Sequence, residues 1–498
     1  MLHLTGDPLS WDSIHRIVFA GEEVALAPSS RAAMSRSRAV VEKIIAEGRT
    51  VYGVNTGFGR LSDVRIPDED LVRLQINLVR SHACGVGSPM SVWEVRAMLL
   101  LRANVLAIGL SGARPEVAEH LVSMLNSGIH PVIPSKGSVG ASGDLAPLAH
   151  LAMGAIGEGI VEFEGDILPS AEAHAKAELI PLKLQAKEGL ALLNGTQAMT
   201  ALGLIALTQA KACLDVADQA GAMTLEALKG TPSAFDPRIH EARRAPHQVF
   251  VANRLLELLD DSEIRRSHLE NDNRVQDAYA IRCMPQVHGA ARSAIEFVES
   301  TLLAETGAAT DNPLVFAETE EVISGGNFHG APIAAALDFA AIALTDLASI
   351  SERRIDRLVN PDSSEGLPPF LTADAGTSSG FMIAHVTAAA LVNECKVLSH
   401  PASVDSIPTS GGKEDHVSMG MTSALKLQSV VENLSHVLAI ELLAASTGIE
   451  FRRPLRAGKG VEAAYETVRE LVPPVTEDRS LSEDIELIAS AMELISGR

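Results

Sequence analysis

Apolar residues recur along this chain mostly at the spacing of amphipathic helices, and glycine or proline interrupts the pattern. In the first part of the chain the pattern predicts short helices over 10–20, 30–46 and 68–79, and a fourth that begins at Ser91. Ser91 and Glu94 have the spacing of a capping box, in which each side chain binds the other residue's backbone N–H. The N-terminal part is therefore predicted to consist of short helices joined by polar loops.

The pattern changes after residue 195, where apolar stretches become longer and alanine-rich on several faces. Lengths of this kind are typical of helical bundles. A small region around 159–168 shows strand-like alternation, and 236–275 is a charged segment that we predict to be a surface excursion with a short helix. Long helices are predicted over 196–229, 285–305, 332–358, 379–399 and 416–447, and a last helix is predicted to begin at Ser480 through a capping box with Glu483.

These patterns predict a mainly α fold with a long helical bundle. The region 1–195 forms an N-terminal part, and 196–498 forms the bundle and the C-terminal helices, with no linker that separates independent domains. Apolar residues make up 46% of the chain but aromatic residues only 3%. A core of Ala, Leu, Val and Ile favours close helix packing over aromatic-rich sheets.

Charge and cysteine usage narrow the function classes. The formal net charge of −22 over 498 residues argues against a nucleic-acid or membrane-surface partner. The apolar run 332–350 contains Asp338 and Asp346, which favours a buried bundle helix over a membrane span. The N-terminal residues lack a basic region followed by an apolar stretch, so we expect no signal peptide. The chain has four cysteines, and none of them has Cys-x-x-Cys spacing: Cys84, Cys213, Cys283 and Cys395. We therefore expect neither a zinc site nor a disulfide framework, and we expect a reducing compartment, the cytoplasm.

The glycine-rich turn over 137–150 offers the most unusual chemistry. Its centre is Ala141-Ser142-Gly143, where the Gly143 nitrogen could attack the Ala141 carbonyl and close a five-membered ring. Loss of two waters, one containing the Ser142 hydroxyl, would leave a built-in electrophile, which no standard side chain provides. An anion site or a plain tight turn are the alternatives on these residues alone. The turn lacks the Gly-Lys-Ser/Thr ending of a phosphate loop and the second glycine of a nucleophile elbow.

Other polar groups stand out in loops beside helices. Tyr52 lies in the glycine-rich segment 51–59, where a functional role and a packing role are equally plausible. His82 follows the third helix, and a lone histidine is more often structural. Asn194 can orient a ring or carboxylate, or be the N-cap of a helix. Arg282 can bind a carboxylate with two parallel hydrogen bonds, or form an ordinary surface ion pair.

Taken together, these loops resemble the aromatic amino acid ammonia-lyase family. The matching segments keep the family's order over nearly the whole chain. They are 52–59, 137–150, 192–197, 276–283, 325–329 and 414–419. The resemblance implies a mainly α fold of fumarase/aspartase-like architecture, in which the smaller N-terminal region carries the prosthetic-group loop. It further implies that Ala141, Ser142 and Gly143 become 4-methylideneimidazol-5-one (MIO), with no external cofactor and no metal.

The resemblance also implies roles for individual residues. Tyr52 matches the family's base, although a phenol with an ordinary pKa of about 10 needs help to ionise near neutrality. Arg282 matches the carboxylate binder, and Asp144 matches a residue that assists ring formation. The remaining matches are Tyr279, Asn194 and Gln276 in the wall of the site, Phe328 against the prosthetic ring, and His82 with Glu414 as the pair that selects the substrate.

His82 and Glu414 are typical of the histidine branch of the family, because a glutamate can bind or deprotonate an imidazole. The implied reaction converts L-histidine to trans-urocanate and ammonia, the first step of histidine degradation, in a homotetramer whose sites share loops from three subunits. The alternatives are a tyrosine or phenylalanine ammonia-lyase, an aminomutase, or a catalytically silent helical anion-binding scaffold. Two departures are Lys413 before Glu414, which leaves open whether Lys413 reaches the site, and Ala278 where a proline is common.

Overall fold

The structure is a computed structural model, and it describes residues 1–57, 64–270, 272 and 274–497. Phe58 and Gly59, which end one of the matching segments, lie outside the described residues. The fold is mainly α, as predicted. The helices are α1 (Trp11–Val18), α2 (Pro28–Ala46), α3 (Leu71–His82), α4 (Val92–Ala107), α5 (Pro115–Ser127), α6 (Leu145–Ala155), α7 (Ser170–Lys176), α8 (Glu188–Leu193), α9 (Gln197–Ala227), α10 (Pro237–Arg243), α11 (Pro246–Leu258), α12 (Glu263–Arg266), α13 (Tyr279–Arg282), α14 (Met284–Glu305), α15 (Ala331–Val359), α16 (Met382–Leu398), α17 (Gly420–Glu450), α18 (Lys459–Leu471), α19 (Ser482–Ser490) and α20 (Met492–Ser496).

The strands are short and form small separate sheets. A parallel pair joins β1 (Leu2–Leu4) to β2 (Val24–Leu26). The antiparallel pairings are β3 (Val86–Pro89) with β5 (Pro134–Lys136), β4 (His130–Pro131) with β6 (Ile160–Phe163), β6 with β7 (Asp166–Pro169), and β8 (Leu314–Phe316) with β9 (Glu321–Ile323). Strands β6 and β7 account for the alternation predicted at 159–168. Sheets of this size connect the helices and do not form a layer of their own.

The chain forms two compact units, and each is assembled from separate stretches of sequence. Unit 1 contains Met1–Ile205, Glu299–Leu337 and Pro401–Leu425. Unit 2 contains Ala206–Val298, Asp338–His400 and Lys426–Arg498. Four of the five boundaries fall inside the long helices α9, α14, α15 and α17, and the fifth, between His400 and Pro401, follows α16. The first unit thus contains the whole of the predicted N-terminal region 1–195, ten further residues and two later segments.

Local sequence signals at helix starts were right in one case and wrong in another. Ser91 and Glu94 form the predicted capping box at the start of α4, with the Ser91 N–H donating to Glu94 Oε2 over 2.6 Å. The capping box predicted for Ser480 and Glu483 was wrong, because α19 begins at Ser482 after Leu481, without a side-chain cap. In the same turn Arg479 pairs with Asp484, which is five residues away, and this ion pair takes the place of the predicted cap.

The predicted long helices occur within a few residues of their expected bounds. The charged segment 236–275, predicted to hold one short helix, contains α10, α11 and α12. By length and composition alone, three described helices could cross a membrane, namely α9, α15 and α17. Most of the apolar window of each is buried in the protein, and Asp338 within α15 binds Lys426 at 2.8 Å. An ion pair of this kind is typical of a helix packed inside a protein.

In unit 1, the helices α3, α6 and α8 pack against one another. Their ends carry residues that the sequence singled out. The last residue of α3 is His82, the glycine-rich turn leads into α6, and Asn194 is the C-cap of α8. Helix packing in unit 1 therefore brings together three loops that are far apart in sequence.

Candidate active site

The glycine-rich turn approaches the loop after α8 too closely for side chains. Gly143 has a φ of 76°, in the left-handed region that favours glycine, and pairs with Gly195. A Cβ atom added to Gly143 would lie 2.1 Å from the Gly195 carbonyl oxygen. The Asp144 N–H donates to that same oxygen over 2.7 Å. Position 143 therefore requires glycine for both its conformation and its surroundings.

The side chain of Asp144 links the two ends of the turn to helix α9 by hydrogen bonds. Its Oδ1 accepts a hydrogen bond from Ser138 Oγ, and its Oδ2 accepts one from the Met199 N–H, both at 2.8 Å. The carboxyl is fully buried, and burial raises its pKa from 3.8 to about 6 although both hydrogen bonds oppose that change. The turn is thus anchored on a buried acid that receives neutral hydrogen-bond donors.

Ser142 is held at both of its oxygen atoms. Its hydroxyl donates to Glu414 Oε1 over 3.0 Å, and its carbonyl accepts from Asn194 Nδ2 over 3.0 Å. Glu414 Oε2 in turn accepts from Thr409 Oγ1 over 2.7 Å. Beneath Asn194, the fully buried guanidinium of Arg102 donates to the Asn194 carbonyl over 2.7 Å. Residues far apart in the sequence therefore meet at Ser142 and fix its orientation.

His82 is half-buried at the end of α3. Its Nδ1 lies 2.8 Å from the Leu78 carbonyl oxygen, so in the neutral ring Nδ1–H donates there and Nε2 is the acceptor. Burial lowers the pKa of His82, while its hydrogen bond to Leu78 and the charge of Glu414 act in the opposite direction. The neutral form of His82 is therefore favoured near neutral pH.

A cavity of about 520 Å³ lies over the glycine-rich turn in unit 1. It is of a size that suits a small-molecule ligand. Its lining contains most of the residues that the sequence selected, namely Tyr52, His82, Ala141, Ser142, Asn194, Phe328 and Glu414. Lys413 also lines the cavity, which answers the question that the sequence left open about its position.

Three selected residues belong to unit 2 and do not line this cavity. Gln276 and Tyr279 are exposed, and Tyr279 is 70% accessible to solvent. The guanidinium carbon of Arg282 lies 4.5 Å from the centre of the Tyr279 ring. The Arg282 Nε atom is buried without a hydrogen-bond partner among the described residues. Tyr279 and Arg282 thus contact each other within α13, and Gln276 precedes this helix in the chain.

The cavity also contains residues that sequence reasoning did not select as site residues. The rings of His329 and His416 stack with centroids 5.6 Å apart and planes 6° apart. Both adjoin selected residues, Phe328 and Glu414, so proximity in the motif was the available signal. Within the part of the chain that the structure describes, no group of three or more His, Cys, Asp or Glu side chains is arranged to hold a metal ion.

The turn fits the prosthetic group that the resemblance implies. Ring closure needs a backbone nitrogen at position 143 that no side chain blocks. The structure provides this, because the space around position 143 admits only glycine. Ring closure also needs a defined Ser142 carbonyl, which Asn194 binds. Asn194 Oδ1 is buried without a hydrogen-bond partner among the described residues, so one acceptor in the cavity wall is unused. The fold and the site together define a helical protein in which a glycine-rich turn borders a cavity of ligand size.

Comparison with known proteins agrees with this class. The family described as aromatic amino acid lyase matches residues 9–470. The chain is 54% identical to a protein named histidine ammonia-lyase from Koribacter versatilis, over 97% of this chain and 96% of that protein. The crystal structure of histidine ammonia-lyase from Trypanosoma cruzi has a TM-score of 0.91 at 44% identity, covering 100% of this chain and 95% of that one.

A tyrosine aminomutase from Streptomyces globisporus has a similar structure. Its TM-score is 0.93 at 38% identity, and the match covers 99% of this chain and 97% of that chain. The match of the family to nearly the whole sequence decides the classification. This chain belongs to the aromatic amino acid lyase family.

Proposed function

We propose that this chain removes ammonia from L-histidine without oxidation and releases trans-urocanate, as the first step of histidine degradation in the cytoplasm. The observation that carries the proposal is the hydrogen bond from Ser142 to Glu414 in a cavity that His82 also lines. Glu414 is an acceptor suited to an imidazole N–H, and a neutral His82 ring offers a second one. The high identity to proteins named histidine ammonia-lyase supports the same substrate.

The proposed prosthetic group is MIO, formed from Ala141, Ser142 and Gly143 without an external cofactor. When formed, the group supplies an electrophilic carbon, which no standard side chain offers. The close approach of Gly143 to Gly195 and the buried Asp144 support its formation in this turn. Asp144 assists ring formation in this proposal.

Other residues of the cavity would bind the substrate and transfer its protons. Tyr52 removes the β-proton as a phenolate, which helix dipoles and the positive charge of the substrate stabilise. Asn194 holds the Ser142 carbonyl through Nδ2 and has Oδ1 available to accept a hydrogen bond from the substrate. Phe328 provides an aromatic wall. Glu414 binds the imidazole and serves as a proton acceptor.

We further propose that the active enzyme is a homotetramer in which Gln276, Tyr279 and Arg282 reach the cavity of a neighbouring subunit. Arg282 would then bind the substrate carboxylate with two parallel hydrogen bonds. The Arg282 Nε atom is buried and has no hydrogen-bond partner among the described residues of the single chain. This supports a partner for Arg282 from outside the chain, such as a substrate carboxylate. Light scattering of the purified protein tests the tetramer, and a monomer would contradict it.

The central experiment combines a urocanate assay with the intact mass of the chain, for the wild type and for Ser142→Ala. We expect the wild-type chain to lack two waters and to release urocanate from L-histidine, and the variant to do neither. Consumption of L-tyrosine or L-phenylalanine alone would favour a related lyase, and a β-amino acid product would favour an aminomutase. A wild-type chain that retains both waters would favour the silent scaffold.

Substrate choice is tested at Glu414. Glu414→Gln should lower kcat for L-histidine by about two to four orders of magnitude, because an amide cannot accept a proton from the imidazole. Glu414 also binds Ser142, so the intact mass of the variant has to show that both waters are lost. The matched control is Glu318→Gln, an exposed carboxylate in the same unit that does not line the cavity.

A further inference from the structure

Gly140, the residue immediately before Ala141, is held on both sides by serine hydroxyls. Its N–H donates to Ser138 Oγ over 3.1 Å, and its carbonyl oxygen accepts from Ser418 Oγ over 3.2 Å. The Ser418 N–H also points to that carbonyl oxygen at 3.4 Å. The orientation of the peptide group that leads into Ala141 is thereby fixed from two different parts of the chain.

The contact with Ser418 depends on very close packing. Gly140 has a φ of 65°, and a Cβ atom added to it would lie 2.1 Å from Ser418 Oγ. Ser418 is 3% exposed, so its hydroxyl is shielded from bulk solvent in the folded protein. The next residue, Met419, donates its N–H to the Val139 carbonyl over 2.9 Å. The segment 418–419 therefore binds two successive carbonyl groups of the turn.

Ser138 connects this contact to the other end of the turn. The hydroxyl that accepts from the Gly140 N–H donates its own proton to Asp144 Oδ1. Residues 138 and 144 are thus joined across the three residues that would form the ring. Neither Ser138 nor Ser418 lines the cavity, so neither is in a position to touch a substrate.

We propose that Ser138 and Ser418 are positioning residues for the formation of the prosthetic group, and we call them the Gly140 clamp. The inference rests on the proposed function. By fixing the peptide before Ala141, the clamp presents the Ala141 carbonyl carbon to the Gly143 nitrogen and shortens the search for the cyclising geometry. Its effect is therefore on the rate of ring closure and not on the binding of substrate.

The chemistry that the clamp assists needs no oxidant or co-reactant. The Gly143 nitrogen forms a bond to the Ala141 carbonyl carbon, and its proton passes to the carbonyl oxygen. That oxygen leaves as the first water together with the Ser142 amide proton, which creates a C=N bond. The Ser142 hydroxyl then leaves with the Cα proton as the second water, which creates the exocyclic C=C bond.

The test measures the intact mass of the full-length chain at successive times after synthesis, in the wild type, Ser418→Ala and Ser138→Ala. Only soluble protein with the wild-type far-ultraviolet circular dichroism spectrum is counted. We expect about tenfold slower loss of water in each variant, the rate equivalent of one hydrogen bond. Enzyme that has completed the ring should keep the wild-type KM for L-histidine.

Two further variants separate positioning from general stability. Ser423→Ala is the matched control, because Ser423 is fully buried in the same part of unit 1 and its hydroxyl has no hydrogen-bond partner among the described residues. It should lose both waters at the wild-type rate. Ser138→Thr keeps the hydroxyl at a half-buried position and should restore the rate lost in Ser138→Ala.

The outcomes are distinct. Wild-type rates of water loss in both alanine variants would overturn the clamp and leave the proposed function intact. A wild-type chain that retains both waters would overturn the proposed function and the clamp with it. If Ser418→Ala yields no folded protein, Ser138→Ala decides, and a wild-type rate in that variant overturns the clamp.

Discussion

Asp144 in unit 1 and Asp218 in unit 2 are both fully buried, yet burial has opposite outcomes for them. The pKa of Asp144 is raised to about 6, whereas that of Asp218 is lowered. Asp144 accepts hydrogen bonds from a hydroxyl and a backbone N–H. Asp218 accepts from His288 Nδ1 over 2.7 Å and from Arg292 Nη2 over 2.6 Å.

The difference lies in the surroundings of each carboxylate. Burial alone would raise the pKa of Asp218, but the hydrogen bond from His288 and the charge of Arg292 outweigh it. The same network continues through Arg354, which is fully buried and donates to both oxygens of Glu441 over 2.6 and 2.8 Å. Asp218 and Glu441 thus have cationic partners, whereas Asp144 has no cationic hydrogen-bond partner among the described residues. A buried acid of this kind beside a cavity is a frequent feature of functional sites.

The largest expected effect comes from neutralising each acid in turn. Asp218→Asn should lower the free energy of unfolding by about 3 kcal/mol, because it removes the charge that binds His288 and leaves the buried Arg292 with Asp215 as its one remaining carboxylate among the described residues. Asp144→Asn at pH 8 should cause no loss, because it removes a charge that burial opposes. Urea denaturation of both variants measures this, and equal losses would show that the two sites do not differ.

The pH dependence should have opposite signs at the two sites. The pKa of Asp144 is raised in the folded state, so its contribution to stability is present below about pH 4 and lost as pH rises through about 6. Relative to Asp144→Asn, the wild type should therefore lose about 3 kcal/mol across that range. Denaturation of both proteins from pH 4 to 8 measures the difference.

Asp218 provides the internal comparison for that titration. Its pKa is lowered in the folded state, so its contribution is present above its ordinary value of 3.8 and lost as pH falls through the lowered value. Between pH 5 and 8 the wild type and Asp218→Asn should therefore differ by a constant amount. A wild-type advantage over Asp144→Asn that grew with rising pH would refute the sign given for Asp144.

The smallest effect is expected from two threonines of the same helix, α9. Thr224 Oγ1 donates to Glu441 Oε1 over 2.8 Å, so Thr224→Val should lower the free energy of unfolding by about 2 kcal/mol. The buried Thr200 Oγ1 has no hydrogen-bond partner in the described part of the chain, so Thr200→Val should cost nothing. Thermal denaturation compares the two, and an equal loss would mean that the Glu441 network adds no stability at Thr224.

Local sequence signals predicted the elements of the fold better than their connections. The capping box at Ser91 needs only residues within one helical turn and was confirmed. From the sequence, Asn194 could be the N-cap of a helix or part of the site, and nothing nearby in sequence distinguishes the two. In the structure it is the C-cap of α8 while its side chain binds Ser142, which is 52 residues away.

The sequence by itself determined the helical class, the family to which the chain belongs, and Ala141-Ser142-Gly143 as the candidate for the prosthetic group. These follow from periodicity, from residue chemistry and from motifs that keep their order. Only the tertiary structure decided that Ser142 meets Glu414, that Asp144 is buried with no cationic hydrogen-bond partner in the described part of the chain, and that Ser418 binds Gly140. The physical reason is that hydrogen bonds and pKa values depend on neighbours in space, which packing brings together from distant parts of the chain.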